Sequence, residues 1–245
     1  MPIFILSTLI QIALVVHIIK TRRDTMWIWI VVGLPIAGSI AYLIVEVIPK
    51  FLSSNTGQVA KRNIEKVVNP DKDFNDAMYR YSVTDTVKNS LDLAEACMEK
   101  KKYEDAKTLY ENCLTGVHKS DPIIMFGLAR AEFALGNYAR VKSLLNDLIR
   151  ENPDYENIDA HLLYAKSLEG LGEKESALEV YEALESYSPS PEALYRYAML
   201  HLEFGNQGKA RELLEKIIRT ANISGKHHNS VFRNWINLAR DELKK

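Results

Sequence analysis

Cysteine is scarce in this chain: Cys97 and Cys113 are the only two among 245 residues. No C-x-x-C pair and no histidine at zinc-finger spacing accompanies them, so neither a disulfide framework nor a metal site is expected. Charge of one sign is missing too. Lys plus Arg number 31 against 32 Asp plus Glu, and without a basic excess nucleic acid is not an expected partner. Catalytic signatures are also absent: no P-loop, G-x-G-x-x-G, G-x-S-x-G or H-E-x-x-H occurs, so no catalytic residue, cofactor-binding residue or metal ligand is assigned.

The even charge balance hides an asymmetry. From Met1 to Ile48 the only formal side-chain charges are Lys20, Arg22, Arg23, Asp24 and Glu46. Two oily runs, Pro2 to Ile19 and Met26 to Ile48, lie on either side of the short polar loop. A helix needs about 20 apolar residues to cross roughly 30 Å of hydrocarbon, so the second run suffices and the first just reaches. No cation precedes the first run and no small-x-small cleavage site follows it, which disfavours a removed signal peptide. Buried helices of a soluble core would show a polar stripe, yet beyond small hydroxyl side chains and Tyr42 only Gln11, His17 and Glu46 interrupt these runs. Residues 1–48 are expected to form a transmembrane helical hairpin embedded in a lipid bilayer.

Within the hairpin, Lys20, Arg22 and Arg23 are assigned to anionic headgroups and Trp27 and Trp29 to the half-wet interface. Gly33, Ala37 and Ala41 recur every fourth residue, giving a smooth face for close helix packing, within the hairpin or as a seam in a homo-oligomer. Pro35 removes one backbone hydrogen bond and should bend the second span. Orientation is contested. The positive-inside tendency puts the 20–25 loop in the cytoplasm and the rest of the chain across the membrane, which is the side favoured; Lys50, Lys61, Arg62, Lys66 and two unpaired cysteines argue the reverse.

Past the membrane the texture turns polar. Residues 49–86 read as a juxtamembrane linker, with a short helical stretch over 59–68, and an N-terminal capping helix. The remainder repeats. Ala94, Ala129, Ala165 and Ala198 are separated by 35, 36 and 33 residues, and two further registers, Ala106/Val141/Ala177/Ala210 and Tyr110/Leu145/Tyr181/Leu214, keep the same spacings. Each unit has two helical halves broken at Gly136, Gly172 or Gly205, with Lys101 in the equivalent place of the first, and Pro153 and Pro189 end the second helix. In the first unit this register sets Cys97 opposite Ala106 and Cys113 opposite Ser90, about 10 Å apart along the helix and too far for a disulfide.

The segment GLARAEFALGNYARVKSLLNDLIRENP, with Leu128, Ala129, Gly136, Tyr138 and Pro153, resembles the tetratricopeptide repeat, and so does the third unit with Ala165, Gly172, Ala177, Tyr181 and Pro189. The first unit lacks the turn glycine; the fourth has Gln207 where an aromatic is usual and Asn222 where proline is usual. The resemblance implies an all-α chain: the hairpin, then a solenoid of about four helix pairs over 87–222, then a capping helix within 223–245. Val231, Trp235 and Leu238, with Phe232, Ile236 and Ala239 beside them, form the apolar side of that cap, preceded by a solvated turn at His227 and His228.

A solenoid offers a concave groove lined by the first helix of each unit. Phe126, Arg130, Phe133, Leu162, Lys166, Tyr195 and Met199 are expected there, with apolar anchors for a peptide or protein partner and Arg130 or Lys166 pairing with its acidic group. The alternative is a superhelix so tight that these side chains pack on one another. Chaperone-binding members of the family clamp a carboxylate with Lys and Asn; Leu91 and Glu95 stand in those places, so that clamp is not expected.

The N-terminal pattern, a histidine-ended first span, a cationic loop and a Trp-led second span with VVGLPIAGSIAYLI, resembles the two-helix module ahead of cardiolipin synthases and related phospholipase D-type proteins. The H-x-K-x4-D motif of those enzymes is absent. The resemblance implies a bacterial inner (plasma) membrane protein with the anchor and without the enzyme. Two functions follow: a membrane-anchored scaffold that binds proteins through its groove, or a non-catalytic accessory subunit of a phospholipid-synthesising or envelope-modifying enzyme, bound through the hairpin.

Overall fold

The computed structural model describes residues 2–21, 24–54, 58, 59 and 69–245. They separate into two units, residues 1–72 and 73–245, and among the described residues every regular element is helical.

In the first unit α1 spans Pro2–Lys20, α2 Met26–Gly33 and α3 Pro35–Tyr42; a π-helical turn, Leu43–Val47, leads into α4, Ile48–Ser53. The second apolar run is therefore not the single bent span expected from sequence. Leu34 leaves the helical region, with φ −126° and ψ 81°, because a residue before proline is pushed towards extended backbone. The chain reverses there and α3 packs back on α2. The ring centroids of Trp27 and Tyr42 lie 5.4 Å apart, whereas fifteen residues of continuous helix would separate them by about 22 Å. Two helices of eight residues each reach only about 12 Å, and among the described residues no helix is long and apolar enough to cross a membrane. The second of the two expected spans is thereby replaced by two short helices packed on each other.

The break also dissolves the small-residue stripe. Gly33 and Ala37 are exposed on opposite sides of the reversal, and Ala41 is half-buried; a Cβ on Gly33 would meet nothing within 4 Å. The close approach falls instead to Gly38, where a Cβ would lie 2.1 Å from the carbonyl oxygen of Ile30. Lys20 is exposed, Trp29 is 78 % exposed, and Trp27 is half-buried against Tyr42. Arg22, Arg23 and residues 60–68 of the helix expected over 59–68 lie outside the described residues.

In the second unit α5 (Lys72–Val83) lays Phe74, Ala77 and Tyr81 on the first helix pair. Four pairs follow: α6 (Val87–Glu99) with α7 (Tyr103–Cys113), α8 (Pro122–Ala134) with α9 (Tyr138–Glu151), α10 (Ile158–Leu171) with α11 (Lys174–Tyr187), and α12 (Pro191–Glu203) with α13 (Gln207–Ile223). The three registers are its contact layers. Ala94, Ala129, Ala165 and Ala198 are fully buried, as are Ala106, Val141, Ala177 and Ala210, and Tyr110, Leu145, Tyr181 and Leu214 are no more than 3 % exposed. Small residues at both positions let the paired helices approach closely, and the larger residue one turn on fills the space to the next pair.

The turns repeat as faithfully. Lys101, Gly136, Gly172 and Gly205 all have positive φ, between 58° and 81°. The amide after each bonds back to a carbonyl five residues earlier: Lys102 to Cys97, Asn137 to Glu132, Glu173 to Leu168, and Asn206 to His201, at 2.8 to 2.9 Å. This is the Schellman closure, which needs one left-handed residue. Each first helix is capped at its start by a side chain, Thr86, Asp121, Asn157 or Ser190, accepting from a backbone amide of the first turn. The second helices start without side-chain caps, since the Schellman turn already aims the chain.

The C-terminal segment holds two helices rather than the one expected. α14 (Lys226–Val231) takes in His227 and His228, and α15 (Arg233–Glu242) follows a break at Phe232. The stretch expected as a solvated turn is fastened by Asn229, whose amide donates to the Ala221 carbonyl at 2.8 Å, and by the packing of His228 on Phe232. Ile236 and Ala239 of α15 are buried in the last layer of the core.

Candidate partner groove

The first helices α6, α8, α10 and α12 share one face, along which aromatic and charged side chains alternate. At its beginning Glu95 accepts from the Tyr110 hydroxyl at 2.6 Å and from Arg130 at 2.8 Å. Further along, Glu169 accepts from the Tyr181 hydroxyl and pairs with Arg196 at 3.5 Å. Tyr110 and Tyr181 occupy the same register of the repeat, but their carboxylates come from positions one turn apart. The same buried-tyrosine problem is thus solved twice with different residues. Burial, and then the neighbouring glutamate, push both phenols well above the usual tyrosine range, so each is held as a hydrogen-bond donor.

Between these clusters Lys166 pairs with Glu192 at 2.9 Å and lies over the Phe133 ring, 5.3 Å from its centroid. Phe133 also meets Tyr138 edge-on at 5.3 Å. Glu192 continues the chain of charges to Arg196, which sits 5.4 Å over the Trp235 ring of α15; Trp235 in turn packs on Tyr195 at 5.6 Å.

Of the groove residues expected from sequence, Arg130, Phe133, Lys166 and Tyr195 enter these pairings. Phe126 packs half-buried on the first core cluster, and Leu162 and Met199 on the second. Arg130 and Lys166 are both already matched by carboxylates of the chain itself, so an acidic partner group would have to compete with Glu95 or Glu192. Glu192 and Arg196 were not anticipated. Their signal was the i,i+4 spacing with Glu leading, a favourable helical ion pair.

Outside this face, a recess of about 310 Å³ lies among Leu145, Leu148, Tyr155, Ala160, Tyr164 and Val180. The two cysteines sit in the first pair, both buried. The Cys113 thiol is hydrogen-bonded with Ser90, as the repeat register requires, and burial raises both thiols above their ordinary range.

An α-solenoid of helix pairs with small residues at the crossings and a left-handed turn in every pair defines the class. Two sequence profiles of the tetratricopeptide repeat match residues 98–166 and 162–223. The chain is a tetratricopeptide repeat protein over these residues. It is 27 % identical over 108 residues to the TPR repeat-containing protein YpiA of Bacillus subtilis (strain 168), a stretch covering 44 % of this chain and 24 % of YpiA. The matched stretch is thus about a quarter of that curated relative. Among solved structures, MamA matches with a TM-score of 0.52 at 20 % identity, over 62 % of this chain and 90 % of its own. TTC0263, a thermophilic TPR protein of Thermus thermophilus, matches with 0.53 at 16 % identity, over 71 % and 94 %. YrrB, described as a TPR protein with an unusual peptide-binding site, matches with 0.52 at 16 % identity, over 82 % and 99 %. At these identities the structures report on fold alone.

Proposed function

We propose that this protein is a scaffold which holds a segment of another protein along the face of α6, α8, α10 and α12, and that residues 1–48 fix it to a lipid bilayer. The observation that supports the first part is the row of half-buried Phe126, Phe133, Leu162, Tyr195 and Met199, large apolar surface left partly open among charges that are internally matched. Such a surface takes a peptide by its apolar side chains, with the Glu95, Arg130, Lys166 and Glu192 array setting register more than strength. A peptide-binding site is named for YrrB, and use of the same fold for that purpose favours the reading.

The lipid part draws on exposure. Leu9, Ile12, Val16, Trp29, Val32, Ile36, Ile40 and Val45 each expose more than half of their surface, a density of open apolar residues that water does not tolerate on a small unit. Alanine at Phe126, Arg130 and Tyr195 together is expected to abolish co-purification of the bound protein while far-UV circular dichroism stays helical. Undiminished recovery of the same protein would refute the groove assignment.

A further inference from the structure

We infer that residues 26–48 enter and leave the lipid layer through one face, as a re-entrant helical hairpin, so that the Lys20 end and the Lys50 end emerge on the same side. This rests on the lipid-embedded reading above and adds to it the number of crossings.

Four observations converge on it. The reversal at Leu34 leaves α2 with eight residues, about 12 Å against roughly 30 Å of hydrocarbon. Contact of the Gly38 backbone with the Ile30 carbonyl seals α2 against α3. At the closed end the carbonyl of buried Val31, whose helical partner Pro35 has no N–H, accepts from the Gln11 side-chain amide at 2.8 Å; without that donor the polar group would stay unpaired where no water reaches it, which a lipid-embedded backbone does not permit. At the open end the His17 Nδ1 and the Tyr42 hydroxyl lie 3.0 Å apart, which brings the last turn of α1, the first of α2 and the last of α3 to one level.

Charge supports a headgroup layer at that level. Lys20 ends α1 and Asp24 follows it, and Glu46 and Lys50 come just after α3, whereas the closed end around Val32, Leu34 and Ile36 carries no formal charge and is exposed. Cations at one end and open apolar surface at the other fit an anionic lipid leaflet. A re-entrant run contributes no crossing where a span contributes one. The two cationic flanks that pulled in opposite directions on a two-span reading then lie on one side and obey one rule.

Single cysteines test this in the full chain, Thr21→Cys or Ser53→Cys, both at exposed positions. Cys97 and Cys113 stay in place, since both are buried, and the wild type gives the background. A membrane-impermeant maleimide is applied to spheroplasts and to inside-out vesicles of cells expressing each variant. The expected result is reaction of both new cysteines in the same preparation and loss of labelling in the other. Labelling of Thr21→Cys in one preparation and Ser53→Cys in the other would overturn the re-entrant hairpin and leave the lipid anchor standing. Release of the protein by alkaline carbonate, with both cysteines reactive in the soluble fraction, would overturn the anchor and the hairpin together.

Discussion

The side-chain amide of Gln11 donates to the backbone carbonyl of Val31 at 2.8 Å. Val31 lies four residues before Pro35, so a residue of the first apolar run supplies the hydrogen bond that a proline of the second withholds. A polar side chain that read as an interruption of a hydrophobic helix is the complement of a defect twenty residues away.

Gln11→Leu should therefore destabilise the first unit by about 1–3 kcal/mol, the usual cost of a buried acceptor left without a donor. Pro35→Ala removes the bias that drives Leu34 out of the helical region and supplies the N–H that a continued helix turns on Val31, so the same Gln11→Leu change in that background should cost much less. A double-mutant cycle on denaturant unfolding in detergent micelles measures the coupling; additive effects would mean that the two residues do not share the carbonyl.

Lys101 stands at φ 58° where the other three turns have glycine. A side chain in the left-handed region costs roughly 1–2 kcal/mol, part of which glycine returns to its greater freedom in the unfolded chain. Lys101→Gly is expected to stabilise the solenoid by about 1 kcal/mol. A higher urea midpoint with unchanged slope is the readout.

Gly127 and Gly208 should respond with opposite sign to the same change. A Cβ at Gly127 would sit 2.5 Å from the Tyr110 ring, while one at Gly208 meets nothing within 4 Å. Gly127→Ala is expected to lose about 1–3 kcal/mol by overpacking, and Gly208→Ala to gain up to about 1 kcal/mol of helix propensity. Thermal melts of the two variants beside the wild type decide both.

His201 makes stability depend on pH. Burial, and then the neighbouring Lys209, lower its pKa, and among the described residues its Nε2 has no partner, so the folded chain favours the neutral ring. The unfolded chain takes up a proton at about pH 6.5 while the folded one resists, and stability falls as pH drops through that value from about 7 towards 5. His201→Phe, which keeps an aromatic ring beside Tyr197, should flatten the pH dependence of the melting temperature over this range. An identical slope in wild type and variant would place the effect elsewhere.

Much of the second unit was legible because its rule is local and repeated. Three independent registers fixed which residues cross, and the turn positions followed, including Lys101 as the stand-in for glycine. The shared face of the first helices was legible only in outline. Residue type and helical face placed Arg130 and Lys166 on it, but partners such as Glu95 and Glu192 come from neighbouring pairs, and no spacing along one helix announces them.

The first unit divides differently. Its sequence by itself determined that the two runs, Pro2 to Ile19 and Met26 to Ile48, are helix-forming and apolar nearly all round, since hydrophobicity and helix formation are properties of short stretches. Only the tertiary structure decided what the second run does with Pro35. A bend of a continuous helix and a full reversal delete the same backbone hydrogen bond, and the choice between them turns on Gln11, Gly38 and Tyr42 finding Val31, Ile30 and Trp27 across space.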